Sequence, residues 1–205
     1  DRLLARYPRR RLEAEQIRDQ ALYVAGLLVE RFGGRSVKPY QPEGLWREVA
    51  MVQSNTRFFV RGEGDDLWRR SLYTYWKRAA PPPSMLTFDA PTRESCVIRR
   101  AETATPLQAL VLWNDEQFVE AARVLAQRTL SEVDADDERL ARMFLRCTGR
   151  EPDEGEATAL ADALADFRAR YAAAPEDATA LLEVGEAPGN EVEPAELAAW
   201  TMIAN

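Results

Sequence analysis

Residues 105–128 read TPLQALVLWNDEQFVEAARVLAQR, and this stretch decides the fold. Thr105 is a good helix N-cap, because its hydroxyl can accept from an otherwise unpaired backbone N–H. Pro106 suits the first helical position, where no N–H is needed. Leu107, Leu110, Val111 and Asn114 then fall on one face. Asn114-Asp115 marks a break, with Asp115 placed to cap a second helix. Phe118, Val119, Ala122 and Leu125 give that helix its apolar stripe, which ends near Arg128.

The same reasoning extends towards the C-terminus. Thr129 to Asp137 reads as an acidic linker, and Asp134 to Glu138 lacks the alternating ligands and glycine of a calcium loop. Leu140, Met143, Phe144 and Cys147 form an amphipathic helix closed at Gly149. Pro152-Asp153 opens a longer helix with Leu160, Leu164, Phe167 and Tyr171 inward. Ala178 to Val184 suggests a helical turn, and Gly185 to Glu193 an exposed loop. Pro194 starts a last helix that carries Leu197, Trp200 and Met202. No stop signal follows it, as expected of an excised piece.

Towards the N-terminus the pattern is less regular. Asp1 to Pro8 is a short lead-in. Ala14, Ile17, Ala21, Val24, Ala25 and Leu28 share a face of a helix over 10–31, with Gly33-Gly34 as its cap. Pro42 to Met51 reads as a short helix with Leu45, Trp46 and Val49 inward. Phe58-Phe59-Val60 is β-prone and is followed by the turn residues Gly62 to Asp66, so a small hairpin or Ω-like loop returning near Leu67–Leu72 is expected. Trp68, Leu72, Tyr75 and Trp76 fit a helix face. Pro81 to Pro83 stop it, Ser84 to Asp89 starts a short helix, and Pro91 to Arg100 is irregular. The fold class is therefore mainly α, bundle-like, with long ordered proline-rich loops and room for one small β-hairpin. Residues 1–128 form the core segment, with 68–114 as its most unusual stretch. Residues 129–205 form an acidic helical part packed on the same core.

Composition narrows the chemistry. A chain of 205 residues with 46% apolar and 30% charged side chains is ordinary for a globular protein. No run of 18 apolar residues is present to span a membrane as a helix. Histidine is absent, which removes Ser-His-Asp and Cys-His nucleophile systems and His-based zinc sites. Cys96 and Cys147 are too few for a thiolate-only metal site, so no metal is expected. They are read as two separate buried thiols, with one disulfide as the alternative. Residues 1–128 hold 21 basic and 16 acidic side chains, whereas 129–205 hold 6 and 18. So acidic a C-terminal part argues against a nucleic-acid partner.

Several blocks resemble one family. They are Arg10-Arg11-Leu12-Glu13-Ala14-Glu15-Gln16-Ile17-Arg18-Asp19, Gly34-Arg35-Ser36-Val37-Lys38-Pro39-Tyr40-Gln41-Pro42 and Arg70-Ser71-Leu72-Tyr73-Thr74-Tyr75-Trp76-Lys77-Arg78. Phe88-Asp89-Ala90-Pro91, Arg93-Glu94-Ser95-Cys96, Arg99-Arg100, Thr105 to Leu110, Thr148-Gly149-Arg150 and Glu196 to Trp200 continue the match in order. Together these resemble the DUF1553 (PSD1) domain of planctomycete and verrucomicrobial surface proteins. The resemblance implies a C-terminal part of a large exported protein, extracytoplasmic, usually joined to an upstream DUF1549 domain. Its partners would be that missing N-terminal half and a cytochrome-c-like domain. Any haem would sit on the separate domain, with no cofactor in this chain. The resemblance brings no biochemical activity.

The candidate site residues lie in the unusual stretch. Asp89, Glu94 and Glu102 are carboxylates that could serve glycoside hydrolysis. Arg93, Arg99 and Arg100 stand beside them and would hold their pKa values down, which favours an ion-paired clamp over catalysis. On that reading Arg99→Ala and Glu94→Ala destabilise the fold. Trp76 and Trp113, with Tyr73 and Tyr75, could stack on a sugar, although at helical spacing they read better as core. Cys96 among arginines could be a reactive thiol. The expected function is an interaction or scaffold domain of an exported multidomain protein. The alternative is part of a polysaccharide-acting enzyme whose site is shared with the missing half.

Overall fold

Helix caps set most of the architecture. The computed structural model describes residues 10–205, so the lead-in over Asp1 to Pro8 lies outside the described residues. Nine α-helices are present among them: α1 Ala14–Ala25, α2 Leu45–Val49, α3 Pro83–Thr87, α4 Pro106–Asn114, α5 Glu116–Glu132, α6 Asp136–Thr148, α7 Glu154–Ala173, α8 Pro175–Leu182 and α9 Pro194–Ala204. Asp115 caps α5 by accepting from the Gln117 N–H at 3.2 Å. Asp153 and Glu156 form a reciprocal capping box at the start of α7, at 2.9 and 3.0 Å. Glu193 caps α9 by accepting from the Glu196 N–H at 2.8 Å.

Helix α9 is the central element. Its sequence is apolar apart from Glu196 and Thr201, as suits a helix packed on most sides. Leu197, Ala198, Ala199, Trp200 and Thr201 are all buried. Helices α5, α7 and α8 pack around it. Trp200 is 0% exposed and donates its indole N–H to Glu196 at 2.7 Å. The same core takes Ala25 from α1, Ala121 and Leu125 from α5, Leu140 and Met143 from α6, and Leu164 and Tyr171 from α7. Residues on both sides of position 128 therefore share one core. A second cluster joins Ala14, Met85, Phe88, Ala90 and Phe118 beneath the proline-rich segment.

Four local expectations need correction. Helix α1 stops at Gly26, whose φ of +85° is left-handed, well before Gly33-Gly34. The N–H groups of Leu27 and Leu28 fold back onto the Leu22 carbonyl at 2.8 and 3.1 Å and close the end. No hairpin forms among the described residues. Only isolated parallel bridges occur, Val29 with Arg69 and Val37 with Thr74. Phe59 turns edge-on to Trp46 at 5.1 Å, and residues 64–67 make a 3-10 turn in place of a returning strand. The tryptophan-rich helix around Leu72 is also absent. Residues 71–73 form one 3-10 turn, and Leu72 is 78% exposed. Backbone groups there are taken by tertiary partners: Val37 N–H donates to the Tyr73 carbonyl at 2.8 Å, and Tyr75 N–H to the Val37 carbonyl at 2.7 Å.

Helix α4 keeps only part of its expected face: Val111 packs on the second cluster, with Leu112 beside it. Leu107, Leu110 and Trp113 point to solvent, whereas Gln108 is buried. Gln108 accepts from the Thr105 N–H at 3.2 Å and donates to the Thr87 carbonyl at 2.9 Å. Arg11 donates to the same Gln108 oxygen. A polar hub thus claims the inward side.

Candidate functional site

The carboxylates of the 89–102 segment are not brought together. Asp89 has a φ of +62° and accepts from the Thr103 N–H and hydroxyl, each at 2.8 Å, so it stitches the two ends of its loop. Glu94 is exposed, and its carboxylate meets no cation among the described residues. Glu102 pairs with Arg99 alone among the described residues, at 3.6 Å on the surface. The destabilisation expected of Arg99→Ala and Glu94→Ala is therefore corrected: neither side chain is buried or firmly tied.

Arg100 does the tying. Its fork reaches both oxygens of Glu15 at 2.6 and 3.1 Å, and Glu13 at 3.3 Å. Burial pushes the Glu15 carboxyl up, but hydrogen bonds and charge from Arg100 outweigh it and leave the pKa below normal. Arg93 stacks 4.4 Å over Trp76, and the Trp76 indole donates to the Thr92 carbonyl at 3.0 Å. Tyr73 lies under Arg69, Tyr75 beside Trp46, and Trp113 is exposed on α4, so the four aromatics form no common platform. Cys96 and Cys147 are free, and the expectation that they are buried is corrected: both are exposed, on the 89–102 loop and near the end of α6, and no disulfide joins them.

A buried polar frame, unmarked in the sequence reading, holds the loops. Arg18 is 2% exposed and donates to Gln117 at 2.6 Å, the Leu67 carbonyl at 2.6 Å and the Arg69 carbonyl at 2.8 Å. Burial lowers its pKa to about 10, opposed by the charges of Asp19, Asp115 and Glu120, so it stays charged at neutral pH. Arg69 donates to the carbonyls of Arg31, Gly33 and Arg35 at 2.7, 2.6 and 2.9 Å. Glu120, 0% exposed, accepts from the Tyr40 hydroxyl at 2.9 Å, the Trp68 indole at 2.8 Å and the N–H groups of Glu186 and Ala187 at 2.6 and 2.7 Å. Burial and the Glu120 charge push the Tyr40 pKa up. Arg123 grips the carbonyls of the same loop, that of Ala187 at 2.8 Å. Gly185 lies so close that a Cβ there would sit 2.6 Å from the Glu120 carboxylate.

Two surface features stand outside this frame. The first is apolar: Leu107, Leu110 and Trp113 are 55%, 54% and 60% exposed at three-residue spacing along α4. An apolar cavity of about 300 Å³ is lined by Leu12, Ile17, Val24, Leu112, Phe118 and Leu125. It reaches Asn205, whose side chain donates to the Trp113 carbonyl at 3.3 Å. The second is polar: a cavity of about 760 Å³ is lined by Gln41, Glu43, Trp46, Arg47, Arg57, Phe58, Phe59 and Arg61, with Glu116. Lys77 and Lys38 lie 4.7 and 5.2 Å from the Trp46 ring. Burial pushes the Glu116 carboxyl up, against the lowering charge of Arg61. Arg57-Phe58-Phe59-Val60-Arg61 was the available sequence signal for it, read there only as β-prone.

No helix among the described residues is long and apolar enough to cross a membrane. No group of three or more His, Cys, Asp or Glu residues among them could hold a metal ion. These features define a mainly helical domain in which buried arginines and one glutamate fasten irregular loops to a helical core. The family model PSD1, described as a protein of unknown function (DUF1553), matches residues 1–164, and the chain belongs to that family. No curated protein and no solved structure matches it.

Proposed function

We propose that this is an interaction domain, which docks its α4 face on another domain of an exported multidomain protein. The observation that carries the reading is the apolar stripe Leu107, Leu110 and Trp113, solvent-facing and beside an apolar cavity. Such exposed apolar surface marks sites of association. The upstream half of the parent polypeptide is the first candidate partner, and a cytochrome-c-like domain the second. Any haem would belong to the latter, and the location would be extracytoplasmic. The polysaccharide-acting alternative needs two carboxylates facing one substrate, and Asp89, Glu94 and Glu102 share neither a partner nor a common environment.

The test is co-purification of this chain with its separately expressed upstream half. Leu110→Asp with Trp113→Ser should abolish it while leaving the melting temperature nearly unchanged, since both side chains are exposed. Full co-purification of the double variant would overturn the proposal.

A further inference from the structure

We infer that the loop between Asp89 and Thr103 is a processing site, where a protease with an acidic primary pocket hydrolyses the Arg99–Arg100 bond and leaves a two-chain molecule. The site does not depend on the docking reading. Residues 92–99 are exposed without interruption. Among the described residues no hydrogen bond reaches Ser95, Cys96, Val97, Ile98 or Arg99. No backbone bond there has to break before a protease cleft pairs with the segment. Val97 and Ile98 are 50% and 104% exposed. Arg99 follows them with its side chain 84% exposed, held only by the surface pair with Glu102 at 3.6 Å. Two largely unpacked aliphatic side chains, followed directly by a cation free to leave, suit a cleft that takes an extended peptide. Exposed loop tips are where proteolytic nicking concentrates.

The surroundings select this bond. Both ends of the loop are anchored: Asp89 accepts from the Thr103 N–H and hydroxyl at 2.8 Å, the Trp76 indole donates to the Thr92 carbonyl at 3.0 Å, and Arg100 grips Glu15 at 2.6 and 3.1 Å. Arg93 is stacked 4.4 Å over Trp76 at a left-handed φ of +64°. Neither Arg93 nor Arg100 can enter a primary pocket without giving up its contact. Other exposed arginines sit where the chain is engaged. The carbonyls of Arg35 and Arg70 accept from the Arg69 side chain and the Tyr73 N–H, each at 2.9 Å. Arg78 lies in a turn that the Ala80 N–H closes on the Lys77 carbonyl at 3.0 Å. Arg150 is held by Glu156 at 2.6 and 2.7 Å. Hydrolysis adds one water across the Arg99–Arg100 C–N bond: the Arg99 carbonyl becomes a carboxylate and the Arg100 nitrogen an ammonium. The ammonium forms on the residue whose side chain already lies against Glu13 and Glu15, whereas the arm that carries Val97 and Ile98 loses its downstream tether. Neither core cluster draws a residue from 92–105, so the cut removes no core contact.

The experiment digests the full chain with trypsin at a low protease ratio and neutral pH. Intact-mass spectrometry reads the first cut downstream of Ala14. The expected result is a pair of fragments, one ending at Arg99 and the other beginning at Arg100. They should migrate as one particle on gel filtration and separate only in urea. Arg99→Gln, at an exposed position outside both core clusters, should abolish the cut at this bond and leave the melting temperature nearly unchanged. Four results would overturn the proposal: a first cut elsewhere downstream of Ala14, a loop that resists trypsin, fragments that part in native buffer, or an Arg99→Gln chain still cut within residues 93–100 as fast as the parent.

Discussion

Arginine does different work in the two parts of this molecule. Between residues 10 and 105 much of the chain is irregular, and Arg18 and Arg69 are buried with their donors on backbone carbonyls of loops. There the side chain replaces the hydrogen bonds that regular secondary structure would have supplied. Within helices α6 to α9 the backbone satisfies itself, and only the loop between α8 and α9 leans on Arg123 and Glu120. Arg168 meets Asp136 at 2.6 Å and Glu196 at 2.5 Å, near the surface. The loop part should therefore be sensitive to loss of single polar groups, and the helical part to loss of apolar volume.

The strongest test removes the one carboxylate that gathers both. Glu120→Ala leaves the Trp68 indole, the Tyr40 hydroxyl and two loop N–H groups without their acceptor. Each stranded buried donor costs about 1–3 kcal/mol, so a loss of about 5 kcal/mol is expected, measured by urea denaturation. Far-UV circular dichroism should persist while near-UV tryptophan signals collapse. In the helical part Trp200→Ala should cost about 4 kcal/mol by leaving a cavity around α9. If Trp200→Ala proves mild and the loops melt first, the contrast between the parts fails.

Gly185→Ala sharpens the contrast further. A φ of +84° is strained for alanine, and the added methyl would press on Glu120. About 3 kcal/mol is expected, from left-handed strain plus overpacking. Arg100→Ala should cost about 1 kcal/mol, given a half-exposed pair with Glu15, while Arg99→Ala changes the urea midpoint little. Equal effects at the two positions would return the clamp to the exposed loop.

Acid should separate the parts more gently. In the helical part the Arg150 hydrogen bonds and the Asp153 backbone hold Glu156 down at about 2 from 4.5. A depressed folded-state pKa contributes stability that is complete above pH 4.5 and is lost as the pH falls towards 2. Burial raises Asp115 and Glu116, so their sign is opposite: protonation relieves a penalty as the pH falls through the raised values. The urea midpoint of Glu156→Gln should fall less steeply than wild type over that window. Parallel curves would remove Glu156 from the account.

What could be read in the sequence follows the same division. Asp115, Asp153 and Pro194 announce helices α5, α7 and α9, because caps and proline act within one turn of chain. The loop part could not be read this way. Leu72, Tyr75 and Trp76 have helical spacing, yet Arg18 and Val37 take the backbone from far along the chain. Glu120 sits between Val119 and Ala121 on a buried stripe, and nothing local says that a tyrosine, a tryptophan and a distant loop converge on it.

The frame also sets what the loops are free to become. Arg69 holds the 31–35 loop, and Arg123 the 184–188 loop, entirely through carbonyl oxygens. A carbonyl is the same at every residue. Provided the left-handed Gly33, Gly34 and Gly185 and the buried Ala187 are kept, the other side chains of these loops can be exchanged without touching those carbonyl anchors, at the cost of the surface pairs that Arg31, Arg35 and Glu186 make. They are replaceable cassettes on fixed pegs, suited to carrying new surface chemistry on an unchanged helical core.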